Sequence, residues 1–256
     1  EVPRPPIIHQ IAVVNILSPY DDLIENNHRR IQLLEESARL LYQEWFVRLR
    51  FPGHEHTNIV DGVPEGWRNT KFEELGEIIT GKTPSTKNPE NYGDDIPFIK
   101  TPDMHNNPII IKTEQKLSEL GANTQSNKFI PPGSLQISCI GTVGIVSINS
   151  SISQTNQQIN SIIPLHDYYR YYLYFCLSGL KSTLEGMGGG STMANINKSK
   201  FSHIQVVIPS NIVLMEFHSI VHNLFCQIEK LMHMNYRAIE ARDLLLPRLM
   251  NGVIPV

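Results

Sequence analysis

The sequence contains little cysteine and no long hydrophobic run. Three cysteines, Cys139, Cys176 and Cys226, lie far apart in 256 residues, and no Cys-x-x-Cys pair occurs. This spacing excludes a disulfide framework and a cysteine zinc site, and it predicts reduced thiols in a cytoplasmic protein. Because no apolar stretch approaches the roughly 20 residues of a membrane-spanning helix, we expect no membrane partner.

Positive charge is also scarce, with 22 Lys and Arg residues against 25 Asp and Glu residues and a formal net charge of −3. Lysine and arginine contacts to phosphates supply much of the affinity of DNA-binding proteins, so composition alone does not suggest DNA binding. A basic cleft can still occur on an acidic protein. Between residues 181 and 205, Lys181, Lys198 and Lys200 stand against Glu185 alone.

Motifs of catalysis are missing as well. No GxSxG or HExxH occurs, and the segment 76–83 matches the phosphate-loop pattern GxxxxGK[ST] only in its letters. A working phosphate loop needs a buried strand before it and a helix that opens at the Lys-Thr pair, but Pro84 follows Thr83 at once. The segment 54–56, His-Glu-His, consists of adjacent residues, whose side chains point in different directions and cannot converge on one metal ion. We therefore predict no catalytic residue, no metal site and no cofactor in this chain.

An internal repeat is the most informative feature that the sequence does contain. The segment 27–31, Asn-His-Arg-Arg-Ile, recurs at 235–239 as Asn-Tyr-Arg-Ala-Ile. At the same offset, hydrophobic residues also match, including Ile24 with Met232 and Leu41 with Leu249. Two related helical segments therefore flank a middle region of different character.

Both copies of the repeat carry a heptad pattern, which predicts two long helices in an antiparallel coiled coil. Ser18 and Pro19 predict a helix start in the first copy, and Pro247 predicts a bend or an end in the second. Asn27 and Asn235 occupy equivalent seam positions, where a buried amide fixes the register. Two ordinary amphipathic helices packed on the middle region are the alternative. The residues that we expect to pair the helices are Ile24, Asn27, Ile31, Leu34, Leu41, Met232, Asn235, Ile239 and Leu246.

The middle region alternates short β-rich runs with turns. The segments 137–140 and 145–148 predict strands, and 168–184 predicts a helix. We predict a mixed α/β (α+β) globular domain flanked by the two long helices. The predicted boundaries are 1–56 for the first helical arm, 57–207 for the globular domain and 208–256 for the second helical arm.

Five groups of segments in this domain, taken in order, resemble the target-recognition domain of Type I restriction–modification specificity subunits. The flanking helices resemble the spacer regions of that family, notably at 22–27 and from 44 to 53. Each segment is weak alone, but the order and the spacing make the resemblance specific, and it covers nearly the whole chain. The signature segments are 66–67, 81–85, 95–104, 141–144 with 155–164, and 190–192 with 195–199.

The resemblance implies a non-catalytic subunit that reads one half of a bipartite site in double-stranded DNA and docks methyltransferase subunits through its helices. S-adenosylmethionine, ATP and Mg²⁺ would belong to partner subunits, and a restriction/translocase subunit would be an indirect partner. The usual family member has two recognition domains and this sequence has one. We therefore expect a half-size subunit that pairs with its own copy, or part of a longer subunit that lacks its N-terminal half. A coiled-coil assembly module whose globular domain binds protein is the alternative function.

DNA contacts follow from the same resemblance. Segments that are shared by proteins with different targets are more plausibly scaffold, so we place base contacts in the loops 85–94 and 105–128. A solvated surface role is the alternative for every candidate. The candidates for bases are Lys87, Asn88, Asn91, Gln125 and Asn127, and those for phosphates are Lys82, Thr83, Lys100, Ser191, Thr192 and Lys198.

Overall fold

The computed structural model describes residues 6–187 and 196–255, except for the side chain of Met187. The chain divides into two compact units, which we call the helical unit (Glu1–Ser37 with Leu224–Val256) and the central unit (Ala38–Asn223). The α-helices are, in chain order, α1 (Ile7–Tyr42), α2 (Thr101–Met104), α3 (Glu119–Asn123), α4 (Arg170–Gly179), α5 (Lys181–Met187), α6 (Lys198–Ser202) and α7 (Asn211–Met250).

The helical unit pairs parts of α1 and α7 in antiparallel directions. The His9 Nε2 atom lies 3.1 Å from the Leu249 carbonyl oxygen. The Asn27 amide donates to the Asn235 Oδ1 atom at 2.9 Å. Partner numbers in α7 therefore fall as the position along α1 rises, which is the antiparallel order.

Helix α1 begins at Ile7, so the prediction that Ser18 and Pro19 start this helix is wrong. Proline removes one backbone hydrogen bond from a helix interior. The turns before Pro19 remain helical because Val13 and Leu17 bury their side chains in a cluster with Leu249. Apolar burial of this kind offsets the cost of the lost bond.

The central unit is built on short strands. A five-stranded sheet has the order β4-β11-β8-β9-β6, and a three-stranded sheet has the order β10-β5-β7. Strand β12 pairs with β3, and β1 with β2. The strands are β1 (Ile59–Val60), β2 (Val63–Pro64), β3 (Arg68–Lys71), β4 (Gly76–Thr80), β5 (Tyr92–Ile99), β6 (Ile109–Ile110), β7 (Gln115–Leu117), β8 (Leu135–Ser138), β9 (Val146–Asn149), β10 (Gln154–Thr155), β11 (Ile159–Pro164) and β12 (Gln205–Ile208).

The centre of the five-stranded sheet is covered on both faces. Every residue of β8 and β9 is buried, and α4 packs against these two strands. Both strands overlap the predicted segments 137–140 and 145–148, so those predictions are confirmed. The helix predicted over 168–184 is divided, because α4 ends at Gly179 and α5 begins at Lys181.

The strands that contain or precede the signature segments pair with strands that are distant in sequence. Strand β10 runs parallel to β5, with Thr155 beside Ile99. Strand β11 is antiparallel to β4, with Asn160 beside Thr80. These pairings position the loops that follow β4 and β5 next to the turn between β10 and β11. A mixed α/β domain with two long helices is thus the observed fold, as predicted.

Candidate nucleic-acid interface

The loop after β4 is attached directly to the turn after β10. The Lys82 backbone N–H donates to the Thr155 carbonyl at 2.9 Å, and the Gly81 N–H donates to the Ile159 carbonyl at 3.1 Å. A Cβ atom at Gly81 would lie 2.1 Å from the Asn156 carbonyl oxygen. Only glycine permits this approach of two backbones. Two signature segments, 81–85 and 155–164, therefore form one surface.

The segment 95–104 joins the same surface. The Asn156 N–H donates to the Ile99 carbonyl at 3.2 Å, next to Lys100. The Lys100 Nζ atom lies 5.9 Å from the centre of the Phe98 ring, within the range of a cation–π contact. The segments that carry Lys82 and Lys100 therefore bond to consecutive residues, Thr155 and Asn156.

The segment 196–199 connects to the segment 155–164 through Cys139, which precedes the turn 141–144. The Cys139 N–H donates to the Gln158 carbonyl at 2.7 Å, and the Ile196 N–H donates to the Cys139 carbonyl at 3.0 Å. Asn197 then caps α6, since its Oδ1 atom accepts from the Lys200 N–H at 2.9 Å. We call the connected residues 81–85, 99–103, 155–158 and 196–199 the signature surface.

The remaining segment, 66–67, has a different role. The Trp67 ring packs against Phe51 and Phe46, with ring centres 5.0 and 5.9 Å apart. Both phenylalanines lie in the segment 44–53 that resembles the spacer exit. The segment 66–67 therefore contributes to the aromatic core of the central unit.

The predicted phosphate contacts that the structure describes lie on the signature surface. Lys82 and Lys198 are exposed, and Thr83 and Lys100 are half-buried. The Thr83 hydroxyl donates to the Gln157 Oε1 atom at 2.6 Å, which fixes an exposed glutamine beside it. The other two candidates, Ser191 and Thr192, lie outside the described residues.

The predicted base contacts divide into exposed and buried residues. Lys87, Asn88 and Asn127 are exposed, but Asn91 and Gln125 are buried. The burial of these two amides leaves a smaller accessible set of candidates than the sequence predicts. The amide of Asn91 donates to the Ser85 carbonyl at 3.0 Å, and that of Gln125 donates to the Lys82 carbonyl at 2.8 Å and to the Gln154 Oε1 atom at 2.7 Å.

Two exposed polar residues of the predicted loop 105–128, His105 and Asn106, were not among the residues named from the sequence. They follow α2 directly, and Asn106 has a φ angle of +60°. Asparagine tolerates this left-handed conformation better than most residues do. The pair Asn106-Asn107 was the available signal, because adjacent asparagines favour turns.

The structure agrees with the rejection of the phosphate-loop match. Residues 76–80 form strand β4, and residues 81–85 that follow are not helical. The geometry that cradles a nucleotide phosphate requires a helix there. Among the described residues, no group of three or more His, Cys, Asp or Glu side chains could hold a metal ion.

The buried thiols are not poised as nucleophiles. Burial raises the pKa of Cys139 to about 11 and that of Cys176 to about 12. The reactive form of cysteine is the thiolate, so both residues stay protonated and weakly reactive at neutral pH. Cys176 lies in the aromatic core with Tyr42 and Tyr172.

The predicted pairing residues occupy several environments. Ile24, Asn27, Ile31, Met232 and Asn235 are buried, and Leu34, Leu41 and Ile239 are half-buried. The side chain of Leu246 is 44% exposed and lines a groove of the helical unit.

That groove has a volume of about 730 Å³ and lies between α1 and α7 of the helical unit. Its apolar lining comes from Val13, Val14, Leu17, Leu246 and Met250. The ion pair between Arg242 and Asp21, with a nitrogen–oxygen distance of 2.7 Å, forms part of its wall. None of the helices that the structure describes combines the length and hydropathy of a bilayer-spanning segment.

Comparison with known proteins agrees with this architecture. Residues 64–223 match the family described as "Type I restriction modification DNA specificity domain". The chain is 38% identical to the Type I restriction enzyme HindI specificity subunit of Haemophilus influenzae, over 96% of this chain and 67% of that subunit.

Solved structures share the fold. The S subunit of the Type-I restriction-modification system from M. genitalium superposes with a TM-score of 0.65 at 16% identity, over 94% of this chain and 60% of that one. The HsdS subunit from Thermoanaerobacter tengcongensis gives a TM-score of 0.50 at 19% identity, over 99% and 61%. The chain thus spans about three-fifths of these solved proteins. By its matched domain and its identity to the HindI subunit, the chain belongs to the family of Type I restriction–modification specificity subunits.

Proposed function

We propose that this chain recognises a specific sequence in double-stranded DNA, as one half of a bipartite site, and that it has no catalytic role. The observation that carries the proposal is the signature surface. Backbone hydrogen bonds between Lys82 and Thr155, and between Ile99 and Asn156, unite segments that lie far apart in the sequence. The united surface presents lysines beside exposed amides, which is the chemistry for phosphates and base edges.

Charge on this surface fits DNA better than the mean charge does. Lys82 and Lys198 are exposed, and Lys100 is held at the end of β5. Each lysine that replaces a phosphate counterion contributes about 0.9 to the slope of log affinity against log salt. Three such lysines would make binding strongly dependent on salt although the chain as a whole is acidic.

The boundaries predicted from the sequence enter the proposal unchanged. Residues 57–207 would read the DNA, and the arms 1–56 and 208–256 would hold this reader at a fixed distance from a second one. The second reader would be another copy of the chain or the N-terminal half of a longer subunit. The pairing residues of α1 and α7 would make the arms stiff enough to set the spacing.

The helical unit would also dock the methyltransferase subunit. Its groove has an apolar lining beside the Arg242–Asp21 ion pair, and Ile7, Ile8 and Ile11 near the same end of α1 are exposed. Large apolar side chains that remain exposed near such a groove are typical of a protein contact. Methylation with S-adenosylmethionine and cleavage with ATP and Mg²⁺ would take place in partner subunits, with the restriction/translocase subunit an indirect partner, in the cytoplasm.

The test uses the chain co-purified with its methyltransferase subunit. The complex is incubated with a randomised library of DNA duplexes, and the methylated positions are read by sequencing. We expect one bipartite sequence, and a Lys82→Ala variant should lower affinity for all duplexes and reduce the salt slope by about 0.9. Lys230→Ala removes the same charge from the helical unit and serves as the matched control.

Two results would contradict the proposal. Methylation without any preferred sequence would exclude sequence recognition, and equal salt slopes for the wild type and Lys82→Ala would exclude a phosphate contact there. A globular domain that binds protein instead of DNA should give both results together. The same purified complex therefore discriminates between the two functions.

A further inference from the structure

The turn that follows α2 is held rigidly at the edge of the signature surface. The Asp103 carboxylate accepts the Lys100 N–H at 2.8 Å through Oδ2 and the Glu114 N–H at 2.9 Å through Oδ1. Since Lys100 belongs to the signature surface, the turn is tied to it by a charge-assisted hydrogen bond.

The far side of the turn is anchored as firmly. The Asn107 amide donates to the Asp103 carbonyl at 2.9 Å, and the Ser147 hydroxyl donates to the Asn107 carbonyl at 2.7 Å. Met104 inserts into a buried apolar cluster with Ile99. Three contacts therefore hold the turn: the carboxylate of Asp103, the buried side chain of Met104 and the amide of Asn107.

Asn106 lies at the tip of this fixed turn. Its side chain is exposed, whereas Asp103 and Asn107 on either side of the tip are partly buried. Its φ angle of +60° directs the chain through a left-handed bend that most residues avoid. A rigid turn suits a specificity residue, because a residue whose backbone is already ordered loses less entropy on binding.

We infer that Asn106 reads a base edge in the major groove, and that the base is adenine. A carboxamide offers one donor and one acceptor side by side, which complements the N7 acceptor and the N6 donor of adenine. This inference rests on the proposed DNA recognition and adds a residue to it. Lys100 and Lys82 would hold the backbone while Asn106 supplies sequence information.

The experiment compares three variants of the chain in complex with its methyltransferase subunit. Asn106→Gly removes the carboxamide and keeps the left-handed bend without strain. Asn106→Asp keeps the shape but offers only acceptors, which suit the N4 donor of cytosine. Asn69→Asp changes an exposed asparagine on β3 and is the matched control. Each complex selects duplexes from the randomised library, and the bound sequences are counted.

We expect the wild type to require adenine at one position. Asn106→Gly should reduce that preference about tenfold and leave the other positions unchanged. Asn106→Asp should shift the preference towards cytosine at the same position, and Asn69→Asp should match the wild type. Thermal unfolding of each variant, with a midpoint equal to the wild type, shows that the turn is intact.

Three results would overturn the inference. If Asn106→Gly leaves every position unchanged, Asn106 does not read a base. If preference declines equally at all positions, the residue supports the fold and carries no sequence information. If the wild type itself selects no sequence, the proposed recognition fails and the inference fails with it, a result that the first two outcomes cannot imitate.

Discussion

The helical unit and the central unit differ in how many polar side chains they bury. In the helical unit, the seam is apolar apart from Asn27 and Asn235, which bond to each other. The central unit buries a dense set of polar side chains along β8 to β11, including Gln136, Ser147 and Asn149. A seam with one polar pair specifies register. A sheet with many buried polar groups specifies loop positions, since most buried polar groups require a hydrogen-bond partner at a defined place.

The largest effect should come from the polar interior of the central unit. The Asn149 amide lies 2.9 Å from the Pro131 carbonyl and 2.7 Å from the Ser151 carbonyl, and its Oδ1 atom accepts the Ser134 N–H at 2.9 Å. Asn149→Ala should lower the free energy of unfolding by about 3 kcal/mol, since buried partners lose their bonds. Urea unfolding measures this change, with the exposed Asn69→Ala as control. Equal midpoints for the two variants would show that the buried amide of Asn149 stabilises the central unit no more than an exposed one does.

The seam of the helical unit should respond less, and in a different pattern. Asn27→Leu leaves the Asn235 Oδ1 atom buried without its donor, which should cost about 2 kcal/mol. The double change of Asn27 and Asn235 to leucine should exceed the wild type in stability, because a buried amide pair fixes register at a cost in stability. Urea unfolding of the four proteins of this cycle measures the coupling. A double variant less stable than the wild type would show that the amide pair itself stabilises the seam.

Protonation of a histidine should change the stability of the central unit by a smaller amount, and this change should depend on pH. Burial lowers the pKa of His218 from its usual 6.5, with smaller contributions of the same sign from Arg170 and His222 and an opposing one from Asp167. The unfolded chain therefore binds this proton more readily, so stability should decline as the pH falls below 6.5.

The measurement is the urea midpoint at pH 7.5 and 5.5. His218→Gln should reduce the difference between the two midpoints, and His56→Gln, at an exposed histidine of the central unit away from α7, serves as the control. An unchanged difference in His218→Gln would assign the pH dependence to other groups.

The smallest effect should come from the exposed ion pair of the helical unit. Arg242 bonds to Asp21 and to Asp243, and all three side chains are open to solvent. Exposed pairs of this kind are strongly screened. Arg242→Gln should therefore leave the urea midpoint unchanged within error at 0.5 M salt (on the order of a 4 Å Debye length). A clear loss of stability would mean that surface charge contributes to the seam after all.

The two units also differ in how far their structure could be predicted. The repeat of 27–31 at 235–239 identified the helices, because a seven-residue period reflects local geometry. The start of α1 could not be predicted, since the burial of Val13 and Leu17 by Leu249 depends on a residue more than 200 positions away. The burial of these side chains outweighs the cost of the backbone hydrogen bond that Pro19 removes from the helix.

In the central unit, the signature segments were found but their convergence was not. The parallel pairing of β10 with β5 joins residues about 56 positions apart, and nothing local encodes it. Asn91 and Gln125 were predicted as base contacts because they lie in loops between the signature segments, but their burial depends on hydrogen bonds to Ser85 and Lys82. Asn106 lies in the predicted loop 105–128 but was not named as a candidate, because its position at the tip of the turn depends on the bonds of Asp103 and Asn107.

The antiparallel pairing of the helical unit has a topological consequence. Because His9 bonds to Leu249, the outer ends of the two helices are neighbours. A short linker could therefore join them, and the chain could be reopened at the exposed turn of Asp61 and Gly62 between β1 and β2. Such a circularly permuted protein would keep every contact of the seam while reversing which helix is synthesised first.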